Sequence, residues 1–131
     1  MVLNLFKFLD NLVGTKPTRI DSVSLSNIKA DWQNVEILLK GGQPSQLRQA
    51  LIIADKALDN AMRGVVEGES MGERLKNAKD KFDRDLYDKI WSAHKMRNSM
   101  VHESGYEPPY HMIKYGIETF KQALGVLGVY V

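Results

Sequence analysis

Apolar residues recur at intervals of three and four positions along most of this chain, and no segment alternates apolar and polar residues as a half-buried strand would. An α-helix repeats every 3.6 residues, so this spacing predicts helices that each bury one face. The clearest stripe, over about residues 24–39, contains Leu25, Ile28, Trp32, Val35 and Leu39. The next, from about residue 44, contains Leu47, Leu51, Ala54, Leu58, Ala61, Met62 and Val65. The pattern therefore predicts an all-α fold.

Turn and capping signals divide the chain into separate helices. Glycines and prolines interrupt the pattern at 41–44 and 105–109, and Ser70 precedes Glu73 with the spacing of a capping box. We predict four main helices, over about 24–39, 44–65, 83–103 and 110–131, and a short extra helix after Ser70. Because the connections are short, these helices should form an antiparallel up-and-down bundle, with the 83–103 helix at its centre.

The first fourteen residues form a separate apolar segment. Polar residues at Asn4, Lys7 and Asn11 share one side of it, which predicts an amphipathic helix. This helix is too short to span a bilayer, and the segment lacks the basic start and cleavage site of a signal peptide. It is expected to dock on the domain or on a partner chain, and membrane-surface contact through residues 1–14 is the alternative. Residues 1–21 are thus predicted to be an N-terminal segment with a linker, and 22–131 a helical domain.

Length and composition restrict the function classes. A chain of 131 residues supports one core, so one site or surface should carry the function. A net charge of +2 and an isoelectric point of about 8.8 create no strong global field for nucleic acid. The absence of cysteine excludes disulfides, thiolate nucleophiles and cysteine-based metal sites, which agrees with a cytoplasmic location.

The segment "AHKMRNSMVHE", residues 93–103, places an arginine among apolar neighbours. At 100° per residue, Arg97 falls near the middle of the apolar face of the 83–103 helix, which contains Leu86, Ile90, Ala93, Met100 and Val101. A buried guanidinium needs a partner. That partner is expected to be a carboxylate of the second helix, Asp55 or Asp59, unless Arg97 faces a ligand or a second subunit.

Three polar residues border the same face at intervals of four: His94, Asn98 and His102. A guanidinium binds phosphate and stabilises extra negative charge, and an imidazole accepts and donates protons near neutral pH. This combination can cleave a phosphodiester without metal. Because Arg97 and His102 lie about 140° apart on a straight helix, a shared phosphate requires a bent terminus or a second copy of the helix, so a homodimer is expected.

The segment Arg97-Asn98-Ser99-Met100-Val101-His102 resembles the motif of HEPN domains, and residues 22–131 resemble small bacterial proteins of that kind with similar "ADKALD", "GESMGERLK" and "WSAHKMRNSMVHE" blocks. The resemblance implies a metal-independent endoribonuclease, a toxin or defence effector that acts on RNA as a homodimer. An antitoxin or a small nucleotidyltransferase is the further partner it implies. Arg97 and His102 would be catalytic with Asn98, and His94 and Asp55 would support them.

Other interpretations of the same residues remain open. Arg97 can be a structural arginine, and His102 can be a helix-end residue that interacts with the helix dipole. The chain would then be a non-catalytic HEPN-like module that binds nucleotide, RNA or protein, or a helical interaction protein. His94 and His102 offer two imidazoles over two turns without an evident carboxylate partner, so neither a metal ion nor a cofactor is predicted.

Overall fold

The computed structural model describes residues 19–131, so the predicted N-terminal amphipathic helix lies outside the described residues. Within this part of the chain every regular element is helical, which confirms the predicted all-α class. None of its helices is both long enough and apolar enough to cross a bilayer. The elements are α1 (Ser22–Gly41), α2 (Pro44–Arg63), α3 (Met71–Asn77), a 3-10 turn (Lys79–Lys81), α4 (Arg84–His102) and α5 (Tyr110–Val126).

Side chains that accept backbone hydrogen bonds start three of these helices. Asp21 caps α1, Ser70 caps α3 and Asp83 caps α4. The backbone N–H of Ser24 lowers the pKa of the Asp21 carboxyl because it stabilises the charged form. Only one of the two bonds of the predicted capping box at Ser70 is present. The Ser70 hydroxyl accepts from the N–H of Glu73, but the Glu73 carboxylate accepts from the N–H of Glu69 instead of that of Ser70.

The centre of the bundle is α2, and the prediction that the 83–103 helix is central is wrong. Ten of the twenty residues of α2 are buried, against six of the nineteen in α4. Helix α2 contacts α1, α3, α4 and α5. Small side chains allow these helices to approach closely, because four fully buried alanines lie along α2: Ala50, Ala54, Ala57 and Ala61.

Helices α2 and α4 run in opposite directions. Arg48, near the start of α2, donates a hydrogen bond to the carbonyl of Met100, near the end of α4. Further along α2, Asp55 contacts His94, which lies earlier in α4. The sequence numbers therefore rise in one helix as they fall in the other, as the predicted up-and-down arrangement requires.

Helices α2 and α5 begin at the same end of the bundle. Leu47 and Ile113 line one hollow near the two helix starts, and Leu51 lies against Gly116 one turn further along both helices. An up-and-down order gives the second and fourth main helices the same direction. The directions of α2, α4 and α5 agree with this order and confirm the predicted bundle.

The buried face of α4 differs from the predicted one at two positions. Val101, expected inside, is 46% exposed, whereas His94, expected at the border, is only 8% exposed. Val101 lies in the last turn of α4, where Arg48 binds the carbonyl of the preceding residue, Met100. His94 is buried because a carboxylate of α2 faces it. The row of polar residues on α4, His94, Asn98 and His102, therefore extends from the surface into the interior.

Gly116 permits the close approach of α5 to α4 and α2. A Cβ at this position would lie 2.9 Å from the Met96 Cε and 3.2 Å from the Leu51 Cδ1. We expect Gly116→Val to lower the free energy of unfolding by about 1–3 kcal/mol through overpacking, measured by urea denaturation. Gly125→Val is the matched control on the same helix, because a Cβ there meets nothing within 4 Å. Equal effects of the two substitutions would contradict this account.

Candidate functional site

A buried carboxylate on α2 and a buried imidazole on α4 form the core of the candidate site. The Asp55 Oδ2 lies 2.8 Å from the His94 Nδ1, and the two residues are 4% and 8% exposed. Trp91 packs edge-on against the His94 ring, with the ring centroids 6.1 Å apart. Two groups that water would otherwise solvate are therefore held against each other inside the bundle.

A directed chain of hydrogen bonds leads from this pair towards the surface. The Arg97 Nη1 donates to the Asn98 Oδ1 at 3.1 Å. The Asn98 Nδ2 lies 3.4 Å from the His94 Nε2 and can only donate. The imidazole nitrogen that faces it must then accept, which places the proton of a neutral His94 on Nδ1, where it is donated to Asp55. One protonation pattern satisfies all three bonds.

Arg97 also approaches Asp55, so Asp55, His94, Asn98 and Arg97 form a closed ring of contacts. Some N–H groups of Arg97 remain without a hydrogen-bond partner within this ring. Its Nε lies 3.9 Å from the Asp55 Oδ1, which is close enough for electrostatic attraction and too long for a hydrogen bond. This Nε is buried and has no hydrogen-bond partner among residues 19–131, while 28% of the side chain is exposed. The guanidinium is therefore anchored on its inner side and still open to an anion on its outer side.

Asp59, the second carboxylate predicted as a partner of Arg97, binds Arg74 instead. Asp59 accepts two hydrogen bonds from Arg74 of α3, at 2.6 and 2.9 Å, and Arg74 also donates to the carbonyl of Gly68 at 2.7 Å. The sequence interpretation missed Arg74. A signal was present, because Arg74 lies between the buried Met71 and Leu75 on a helix that follows α2 after a short connection.

His102 lies apart from the ring. It is exposed in the last turn of α4 and lines a surface hollow with Arg48, Glu103 and Tyr106. No hydrogen bond joins it to Arg97 within the described chain, because five helical positions separate the two side chains by about 7.5 Å of rise and about 140° of rotation. The structure therefore brings four of the five predicted site residues together and leaves His102 outside the group.

Arg48 secures the turn of α4 that carries His102. Its guanidinium donates to the carbonyl of Met100 at 3.0 Å and to that of Tyr106 at 3.4 Å. These bonds tie the last turn of α4 to the loop that follows, where helix carbonyls lack partners of their own. The sequence interpretation did not find Arg48, because its partners are backbone atoms more than fifty positions away.

No family model matches the chain, and neither a curated protein nor a solved structure matches it. The HEPN resemblance therefore rests on the segment from Arg97 to His102 and its flanking blocks. Among residues 19–131, no group of three or more histidine, aspartate or glutamate side chains is arranged to hold a metal ion. The ring of Asp55, His94, Asn98 and Arg97 is therefore the structural basis for assigning a function.

The ring predicts a specific effect on stability. Asp55→Ala should lower the free energy of unfolding by about 3 kcal/mol, because it leaves His94 without its acceptor and Arg97 without a nearby negative charge. Chemical denaturation followed by circular dichroism would measure this change. Asp31→Ala removes a carboxylate that pairs with the exposed Lys56 at 3.5 Å, and it should cost at most about 1 kcal/mol. Similar losses of unfolding free energy in both variants would show that the Asp55 contacts contribute no more than an exposed ion pair.

Proposed function

We propose that this protein is a metal-independent endoribonuclease of HEPN type that acts as a homodimer, in the manner of a toxin or defence effector. The observation that carries the proposal is the placement of Arg97, whose guanidinium is held by the buried ring on one side while 28% of the side chain remains exposed. A guanidinium preorganised in this way can bind a phosphate without losing side-chain freedom at that moment.

Arg97 would stabilise the charge that develops on the phosphate during cleavage. Attack on phosphorus adds negative charge to the non-bridging oxygens, and the paired donors of a guanidinium match their geometry. Asn98 holds one edge of the guanidinium through its carbonyl oxygen. His94 and Asp55 orient Asn98 from behind, so they act as positioning residues in this mechanism.

His102 would handle the protons. The ribose 2′-oxygen forms a bond to the adjacent phosphorus, the bond from phosphorus to the 5′-oxygen breaks, and the products are a 2′,3′-cyclic phosphate and a 5′-hydroxyl. In this reaction an imidazole takes the proton from the 2′-hydroxyl or gives one to the leaving 5′-oxygen. His102 is exposed in the last turn of α4 and is therefore accessible to a strand on the surface.

A second copy of the chain would complete the site. In one copy Arg97 and His102 point about 140° apart, so they do not converge on one phosphate group. Two-fold pairing of the α4 ends brings the Arg97 of one copy towards the His102 of the other. Val101, which is 46% exposed between them, supplies apolar area for such a contact.

The chemistry is tested by RNA cleavage in the presence of EDTA. Wild-type protein should cleave single-stranded or loop RNA to products with 2′,3′-cyclic phosphate ends, and it should leave DNA intact because DNA lacks the 2′-hydroxyl. His102→Ala should slow cleavage by about 10²–10⁴-fold. Arg97→Lys, which keeps the charge and loses the planar fork, should slow it by about 10²–10³-fold.

His111→Ala is the control for the loss of a histidine, because His111 is an exposed histidine outside the ring and outside the hollow that contains His102. It should cleave RNA at the wild-type rate. Circular dichroism and the midpoint of thermal unfolding should be unchanged in His102→Ala. Cleavage by His102→Ala at the wild-type rate would refute the assigned chemistry.

The oligomeric state provides an independent test. Sedimentation velocity at tens of micromolar should show a dimer, because a standard-sized interface is normally populated at that concentration. Val101→Glu should shift the chain towards monomer, since it introduces two like charges at the paired helix ends, and cleavage should fall with it. A wild-type chain that sediments only as monomer would contradict the shared site.

The alternative function is a non-catalytic module that binds nucleotide, RNA or a protein partner. The observation that favours it is the attraction between Arg97 and Asp55 at 3.9 Å, which gives the guanidinium a structural role inside one chain. Binding of RNA without cleavage across varied RNAs, with His102→Ala binding as tightly as wild type, would select this alternative.

A further inference from the structure

A groove runs between α4 and α5 on the side of α4 away from Asn98. Its volume is about 780 Å³, and eleven residues line it. Four of them form an apolar floor and wall: Ala93, Met96, Met112 and Gly116. Met112 is 43% exposed, and Tyr115, at the rim, is 57% exposed. Apolar surface of this kind on a single chain commonly marks a binding site.

The rim of this groove is positively charged. Lys89 and Lys95 line it, and no carboxylate does so among the residues described. The two ammonium groups differ in their partners. Asp85 accepts a hydrogen bond from Lys89 at 2.9 Å and, together with Tyr115, raises the pKa of that ammonium. Lys95 instead lies over the Trp91 ring, 5.8 Å from its centroid, and forms no ion pair within residues 19–131.

Hydroxyl groups flank Lys95 on the same strip of α4. Ser92 and Ser99 lie three positions before it and four positions after it, and both line the groove. One ammonium and two hydroxyls therefore border the apolar floor on one side. Asp88 lines a neighbouring hollow together with Lys95. Ser92 and Lys95 line both the groove and that hollow, so they lie between the two.

We propose that this groove binds a small organic anion with an apolar, aromatic body. The negatively charged group of the ligand lies at Lys95, Ser92 and Ser99, and its body covers Met96 and Met112. The cavity volume falls within the range of about 300–1,000 Å³ that is typical of small-molecule sites. The volume and the positive charge of the groove therefore fit a small organic anion.

This site is separate from the proposed ribonuclease site. The groove faces one side of α4, and the ring of Arg97 and Asn98 faces the other, with Met96 next to Arg97 in the chain. Neither His102 nor Arg97 lines the groove, and the groove meets the hollow that contains His102 only at Tyr106. The binding test below therefore gives the same result whether or not the protein cleaves RNA.

The test uses two fluorescent probes that share an aromatic body and differ in charge. These are 8-anilinonaphthalene-1-sulfonate, which is an anion, and N-phenyl-1-naphthylamine, which is neutral. We expect the full chain to bind the anion saturably with one site per chain. Lys95→Gln should weaken binding of the anion by about tenfold and leave binding of the neutral probe unchanged. Met112→Glu should weaken binding of both, because it places a charge against the apolar body.

Lys114→Gln is the matched control. Lys114 lies over the Tyr110 ring, 5.1 Å from its centroid, and is a lysine paired with an aromatic ring outside the groove. It should bind both probes as wild type does. All three substitutions are at exposed positions, and circular dichroism should confirm that each variant is folded.

Three results would overturn the proposal. The first is unchanged binding of the anion in Lys95→Gln or in Met112→Glu. The second is a weakening of anion binding in Lys114→Gln that equals the weakening in Lys95→Gln. The third is displacement of the bound anion by a 2′-O-methyl RNA oligonucleotide, which cannot be cleaved at the 2′-position and would assign the groove to RNA. Loss of RNA cleavage in His102→Ala without any change in probe binding would support two separate sites.

Discussion

The burial of one carboxylate, Asp55 at the middle of α2, is the constraint on which the candidate site depends. A carboxylate removed from water needs compensating partners, and α4 supplies two of them, His94 and Arg97. These residues are three positions apart and therefore lie on one side of α4. A shift of α4 by one turn along α2 would leave at most one of them beside Asp55. The packing of the two helices and the geometry of the site thus depend on the same contacts.

Three arginines bind oxygen atoms across the bundle, and their differences make Arg97 distinctive. Arg74 forms a two-point contact with Asp59 and adds a backbone carbonyl. Arg48 binds two backbone carbonyls at the end of α4. Arg97 has one hydrogen bond, to Asn98, and a carboxylate at a distance too long for a second. Of the three arginines it forms the fewest hydrogen bonds, one against two for Arg48 and three for Arg74.

Helix α4 joins two surfaces of opposite chemical character. One side carries the polar ring, in which every contact is a hydrogen bond or an ion pair. The other side borders an apolar groove with lysines at its rim. Met96 and Arg97 are consecutive residues, so the floor of the groove and the guanidinium belong to the same turn. A ligand in the groove would therefore contact a helix whose opposite side is held by α2 through Asp55.

The sequence by itself determined the helices and the positions of Arg97, Asn98 and His102 along α4, because helical periodicity and residue spacing are local properties of the chain. It also identified Asp55 as a possible partner of Arg97. Only the tertiary structure decided that α2 is central, that Asp59 binds Arg74, and that His94 is buried while His102 is not. These outcomes depend on which helix faces meet, and that choice is made by packing and charge compensation among residues far apart in sequence.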